Sequence, residues 1–432
     1  MQTSLRGIAN KAAKDRKHRF GGLYGLLNKE NLTWCFYCLK RKAAAGVDNV
    51  DWYEYEKNLE ANIDNLVARL KRKRYRARLI RRKYIPKLEP GKMRPLGIPV
   101  IEDKMLQLGV AKILSAIYEQ DFLEGSYGFR EGLGPRDAVQ DLTLNLQYGK
   151  FSWVVDADIK GFFDNIDHQW MIRMVKERVN DGAFTNLIAK WLKAGVLEPD
   201  GQVVHPATGT PQGGIVSPVL ANIYLHYVLD LWFEKVVKPQ CEGKVKIVRY
   251  ADDFVCAFQY RAEAEKFYQS LSKRLGKFGL ETAQEKSRVF RFSRFRTGKN
   301  EGFDFLGFEF RWGMDNGGSA RLKRRTSRKK FKASIAGFTS WIRQHRHKRT
   351  RWVMKALASK YRGYWNYYGV KGNYKSLKMF YHATRRILYK WLNRRGDRHS
   401  YNGKGFAEML KHYDIPTPRI TEQGMNRVYR FA

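Results

Sequence analysis

The chain has 432 residues, enough for two or three domains with sizeable cores, which excludes a small stapled scaffold. Lys and Arg number 82 against 42 Asp and Glu, a net charge of +40, so a polyanionic partner is expected, nucleic acid first and an anionic membrane surface second. No apolar run of about 18 residues exists to span a bilayer, and the opening Met1-Gln-Thr-Ser-Leu-Arg-Gly-Ile-Ala-Asn10 lacks the apolar core of a secretion signal, so the protein is expected inside the cell.

Residues 1–75 read as a helical, basic extension, and the apolar spacing from Leu59 through Ile63, Leu66 and Val67 to Leu70 predicts an amphipathic helix. Four cysteines in so long a chain make no disulfide framework and fit a reducing compartment. Cys35 and Cys38 form a C-x-x-C with no second Cys or His pair nearby, which predicts two small side chains on a helix beside Trp34 and Phe36 rather than a zinc site. Across 76–317, short β-rich runs alternate with helical stretches and glycine turns, the pattern of an α/β or α+β domain.

Within that block, Phe151-Ser-Trp-Val-Val-Asp156-Ala-Asp158 reads as a strand turning into a helix at Phe163-Asp164, and alternation puts Asp156 and Asp158 on one face. Either carboxylate serves a metal site or a structural cap; the residues alone do not choose. Gly209-Thr-Pro-Gln212-Gly-Gly-Ile-Val-Ser-Pro218 is a glycine turn leading into an apolar helix, suited to close backbone approach and equally to a plain loop. Val245 to Phe258 reads as a hairpin with Asp252 and Asp253 at its turn. Two carboxylates bracketed by apolar strands repel one another unless a cation lies between them, and hard oxygen ligands suit magnesium or manganese. From Asn316 to Arg395 there is no Asp or Glu but there are 24 Lys and Arg, interleaved with Trp341, Trp352, Tyr361, Tyr364, Trp365 and Trp391. The aromatics fit a helical core; the missing acids fit a clamp facing a polyanion, with a boundary near residue 318. The tail, 396–432, carries no usable signal.

In order and spacing these segments resemble the palm of reverse transcriptases, specifically the group II intron-encoded reverse transcriptase and maturase family. Asp158-Ile-Lys-Gly-Phe-Phe163-Asp is similar to its first palm motif, Thr210 to Pro218 to its second and Tyr250-Ala-Asp-Asp253 to its third. Tyr84-Ile-Pro-Lys87 through Arg94 to Pro99, and Ser126-Tyr-Gly-Phe-Arg130, resemble its finger motifs, while Phe303 to Phe310 resembles its primer-grip hairpin. Lys42 to Asp48 resembles its template-covering loop. The resemblance implies an α+β right-hand polymerase: an extension at 1–75, fingers and palm at 76–317, and a helical thumb or maturase domain at 318–395.

It assigns two magnesium ions, or manganese, to Asp158, Asp252 and Asp253. It sets Lys87 and Arg94 on the incoming triphosphate, Phe163 against the sugar where a 2′-hydroxyl is excluded, and Gln212 near that sugar. Lys286 stands where the family has a lysine that protonates pyrophosphate. The expected partners are an RNA template with a DNA or RNA primer, deoxynucleoside triphosphates and a group II intron RNA, in the bacterial cytoplasm. The form expected is the compact one without an endonuclease module, or a stand-alone group II-like reverse transcriptase that no longer serves an intron. A splicing cofactor with polymerisation secondary is the alternative; an RNA-dependent RNA polymerase shares the palm, but Phe163 argues against it.

Overall fold

The computed structural model describes residues 2–86, 91, 93–299, 301–395 and 400–422. In chain order the helices are α1 (Gln2–Lys14), α2 (Lys29–Cys38), α3 (Trp52–Glu56), α4 (Leu59–Lys71), α5 (Ile101–Tyr118), α6 (Pro135–Tyr148), α7 (His168–Lys176), α8 (Gly182–Leu192), α9 (Ser217–Leu225), α10 (Arg261–Gly276), α11 (Arg328–His345), α12 (Thr350–Tyr368), α13 (Tyr374–Leu392) and α14 (Gly403–His412). The strands are β1 (Ile80–Pro86), β2 (Met93–Ile98), β3 (Trp153–Ala157), β4 (Val196–Leu197), β5 (Val203–Val204), β6 (Val245–Tyr250), β7 (Asp253–Phe258), β8 (Arg288–Arg291), β9 (Phe303–Phe305), β10 (Phe308–Met314) and β11 (Ala320–Thr326). They form sheets in the orders β2-β1-β4-β5, β6-β7-β3-β8 and β11-β10-β9. The chain has the expected α+β class. No helix among the described residues is long and apolar enough to cross a membrane.

Two compact units divide the chain. The first comprises Met1–Ala138, Val155–Cys256 and Ala262–Val289. Its helix starts follow from short polar caps: Asn28, Asp51, Asp167 and Asp181 accept from backbone N–H groups in the first turns of α2, α3, α7 and α8. The predicted amphipathic segment folds as α4, with Ile63, Leu66 and Leu70 buried. Helix α5 is buried almost all round, and α1, α2 and α9 pack on it. Burying each of its Ile and Leu side chains is worth about 1.5–3 kcal/mol. Cys35 is buried on α2 beside Phe36, and Cys38 is exposed.

Helix α9 continues into two π-helical turns, His226–Asp230 and Phe233–Val237. His226 is 3% exposed, and its Nδ1 has no hydrogen-bond partner among the described residues. Burial lowers its pKa to about 4, with Arg249, Lys235 and Arg130 acting in the same sense and Asp230 against it. The unfolded chain takes up this proton near pH 6.5, the folded protein only near pH 4, so stability is lost as pH falls through that window. The loss is expected to reach about 3 kcal/mol. His226→Leu should flatten the pH dependence of the urea midpoint over the same range; an unchanged slope would assign the acid sensitivity elsewhere.

The second unit comprises Val139–Val154, Ala257–Arg261 and Phe290–Ala432. Its antiparallel sheet pairs β10 with β11 from Phe308↔Thr326 to Met314↔Ala320. Most aromatics of the acid-free segment fill the core of α11–α13, although Trp352 and Tyr374 are exposed: Tyr361 and Trp365 are buried, Tyr364 stacks on Phe380, and the Tyr361 hydroxyl meets that of Thr384 at 2.8 Å. Arg343, Lys355, Arg362, Lys375 and Arg386 of the same helices are exposed. Arg324 and Glu422 form a buried two-pronged ion pair at 2.9 and 3.0 Å, which ties residue 422 to β11.

Candidate active site

Asp252 and Asp253 follow the β6 strand, whose residues Val245, Ile247 and Arg249 alternate onto one buried face. Only Ala251 and Asp252 separate β6 from β7, and Ala251 is left-handed at φ 58°, a conformation unfavourable for a residue with a Cβ. The loop Gly125–Gly128 lies along this strand: the Arg249 N–H donates to the Gly125 carbonyl and the Tyr127 N–H to that of Arg249, both at 2.8 Å. A Cβ on Gly128 would overlap the backbone nitrogen of Ala251, so the residue there must be glycine.

Asp158 lies just beyond β3, where its carbonyl accepts from the Ala283 N–H at 2.8 Å and its N–H donates to the Ser287 hydroxyl at 3.3 Å. The bridge between Ile159 and Thr282 continues this pairing. The same register brings the Lys286 ammonium to 2.9 Å from the Asp158 carboxylate. Burial raises the Asp252 carboxyl above its ordinary value and the charge of Asp158 raises it further, while Arg94 and Arg249 oppose the shift. Asp158, Asp252 and Arg94 therefore share one electrostatic field. Asp253, the first residue of β7, is exposed. Among the described residues, no three Asp, Glu, His or Cys side chains are close enough together to hold a metal ion.

Arg94 is on β2, paired with Ile85 of β1. Three residues on, Gly97 donates its N–H to the Gln212 carbonyl at 2.6 Å, so the Thr210–Ser217 loop is fastened to the strand that carries Arg94. The loop is further held by the buried Gln107, which accepts from the Ile215 N–H at 2.8 Å, and by a 2.8 Å contact between the Thr210 and Ser217 hydroxyls. Phe163 meets this loop through its carbonyl, which accepts from the Thr210 N–H at 2.8 Å. Its ring is half-buried and stands edge-on to Phe129 and Phe162. Gly209, at φ 90°, makes the approach possible, since a Cβ there would come within 2.7 Å of the Asp164 carbonyl. Lys87 lies outside the described residues.

Sequence reasoning missed the supports of this site. Lys104 is buried and donates to the Ala44 carbonyl at 2.6 Å, fixing the Lys42–Asp48 stretch. Arg249, Asp230, Asn222 and Ser126 form a buried network behind the hairpin turn. One signal was available: Arg249 alternates in phase with Val245 and Ile247, which assigns a cation to the apolar face of a strand.

The sequence model of the reverse transcriptase (RNA-dependent DNA polymerase) family matches residues 85–310. The chain is 28% identical over 465 residues to the group II intron-encoded protein LtrA of Lactococcus lactis subsp. cremoris, across 87% of this chain and 75% of that protein. It is 31% identical over 292 residues to protein YkfC of Escherichia coli (strain K12), across 61% of this chain and 74% of that one. Similarity at 34% over 227 residues to an uncharacterized 91 kDa protein in a cob intron of Schizosaccharomyces pombe covers 52% of this chain and 27% of that protein. The α+β architecture is accordingly that of a right-hand polymerase. The chain belongs to the reverse transcriptase family, among the group II intron reverse transcriptases and maturases, and is an RNA-directed DNA polymerase.

Proposed function

We propose that this enzyme extends a primer on an RNA template with deoxynucleoside triphosphates, using Asp158, Asp252 and Asp253 to hold two divalent ions, magnesium in the first instance. The observation that carries the reading is the meeting of Asp158, Asp252 and Arg94: Asp158, with Lys286 held 2.9 Å from it, makes ionisation of Asp252 costlier, and Arg94 opposes that shift with a cation suited to phosphate. The donor set fits a hard cation, and the Lys286 ammonium already faces Asp158 with positive charge. A divalent ion bound there supplies charge neutralisation for the reacting phosphate oxygens.

In this reading Arg94 and Lys87 donate to the incoming triphosphate and hold it in line with the primer end. Lys286, held 2.9 Å from Asp158, is the proton donor for the departing pyrophosphate. Gln212, whose backbone is tied to Gly97, orients the sugar, and Phe163, braced by Phe129 and Phe162, is the wall that excludes a 2′-hydroxyl. The acid-free helices of residues 318–395 act as thumb and maturase surface, gripping the template-primer duplex and a group II intron RNA through their exposed Lys and Arg.

Primer extension on an RNA template with magnesium tests the proposal. Wild type should make complementary DNA from deoxynucleotides and discriminate against ribonucleotides, and Phe163→Ala should narrow that discrimination by about 10- to 100-fold. Tight RNA binding without extension by the wild type would favour an RNA-folding or splicing factor on this scaffold. Extension with unchanged discrimination in the variant would remove Phe163 from the sugar gate.

A further inference from the structure

Arg249 is 0% exposed, in a position where an unpaired guanidinium would be strongly unfavourable. A guanidinium has five N–H donors, and its contacts number five. Nε and Nη2 fork onto Asp230 at 2.7 and 2.5 Å. Nη2 also donates to the Ser126 hydroxyl at 2.7 Å. Nη1 donates to Asn222 Oδ1 at 3.2 Å and to the Ala251 carbonyl at 3.0 Å. Asn222 in turn donates to the Gly128 carbonyl at 2.6 Å, which closes a cage around the peptide between Tyr250 and Asp252.

Two features argue that the cage exists for the turn rather than for stability. Buried ion pairs are often replaceable by well-packed apolar side chains with no loss of stability, so stability alone does not account for a charge here. In addition, the carbonyl that Arg249 grips belongs to Ala251, the left-handed residue that carries Asp252. The partner side also depends on local backbone geometry. At 100° per residue, the eight-residue spacing of Asn222 and Asp230 leaves them about 80° apart on an α-helix. The π turn His226–Asp230 takes up more residues per turn and swings Asp230 back toward the face of Asn222.

We infer that Arg249, backed by Asp230, is a positioning residue that clamps the Ala251 carbonyl and so sets the reach of Asp252 and Asp253 relative to Asp158. The inference rests on the metal-holding role proposed for Asp252. Lysine at position 249 keeps the charge opposite Asp230 but cannot fork onto five acceptors.

The experiment compares the full chain with Arg249→Lys, Ser126→Ala, Asn222→Ala and, as control, Asp252→Ala. Single-turnover extension, burst amplitude, the magnesium concentration for half-maximal rate, template-primer affinity and thermal midpoint are measured. Arg249→Lys should lower the per-site rate about 100-fold and raise the magnesium midpoint about tenfold. Its burst amplitude, nucleotide KM and template affinity should stay within about twofold, as expected when only the placement of the carboxylates changes. Ser126→Ala and Asn222→Ala should shift rate and magnesium midpoint in the same direction by smaller factors. A loss confined to burst amplitude, with an unchanged magnesium midpoint, would make the network merely structural and overturn the inference. If Arg249→Lys does not fold, unchanged rate and midpoint in both Ser126→Ala and Asn222→Ala would overturn it. Persistent extension by Asp252→Ala would instead remove the reading on which the inference stands.

Discussion

Asp252→Ala is expected to cut primer extension by about 10³-fold or more while template binding and folding are retained. The unusual part of the expectation is stability. Burial and the neighbouring Asp158 both disfavour the ionised Asp252 carboxyl, so removing the charge relieves repulsion in the folded protein. Thermal midpoint at neutral pH should therefore hold or rise as activity disappears. The isosteric Asp252→Asn should behave alike, because it keeps the shape and removes the charge. Scanning calorimetry with single-turnover extension on the same preparations checks both halves. Activity within tenfold of wild type would exclude Asp252 from the chemistry, and a sharp drop in melting temperature would make it a structural residue.

Gly128→Ala should be the most damaging of the small substitutions. Its Cβ would overlap the Ala251 nitrogen and lie 2.9 Å from the Tyr250 carbonyl carbon, and both obstacles are backbone, so no side chain can rotate to make room. Either the Ser126–Gly128 loop or the turn must move. Overpacking of this kind costs about 1–3 kcal/mol. Displacement of the turn that carries Asp252 should lower the extension rate about 100-fold. Gly7 of α1 offers the comparison: a Cβ there meets nothing within 4 Å, and Gly7→Ala should leave activity unchanged and stabilise the helix by about 0.5–1 kcal/mol. Full activity in Gly128→Ala would mean that the turn and loop yield independently of the carboxylates.

What the sequence made legible follows the strength of the local signal. The hairpin around Asp252 and Asp253 could be read because β-prone runs flank a short polar turn, and α4 because its apolar residues keep helical spacing. Alternation alone left Asp156 and Asp158 equivalent; in the structure Asp156 is on β3, whereas Asp158 lies just beyond it and pairs with Ala283 and Ser287, more than a hundred residues away. The aromatics among the basic residues of α12 and α13 were open to two readings, and burial separates them: Tyr361 and Trp365 are core, whereas Trp352, Tyr374 and most of the lysines and arginines face out. Arg249 was half legible, since its phase with Val245 and Ile247 puts a cation on a buried strand face. Its partner was not: a lone anion in a helix, Asp230 looks like a solvent-facing charge until the fold brings the two together.

The π turn at His226–Asp230 makes chain length, as well as residue identity, part of the site. Deleting one residue between Asn222 and Asp230 with relaxation to α geometry would leave Asp230 within about 20° of the Asn222 face, whereas inserting one would rotate it by about 100° and strand a guanidinium in the core while sparing every side chain named at the active centre. A variant library built only from substitutions would never visit that failure, whereas single-residue insertions would find it at once. In this enzyme, counting residues along one helix is therefore as informative as naming those in the catalytic turn.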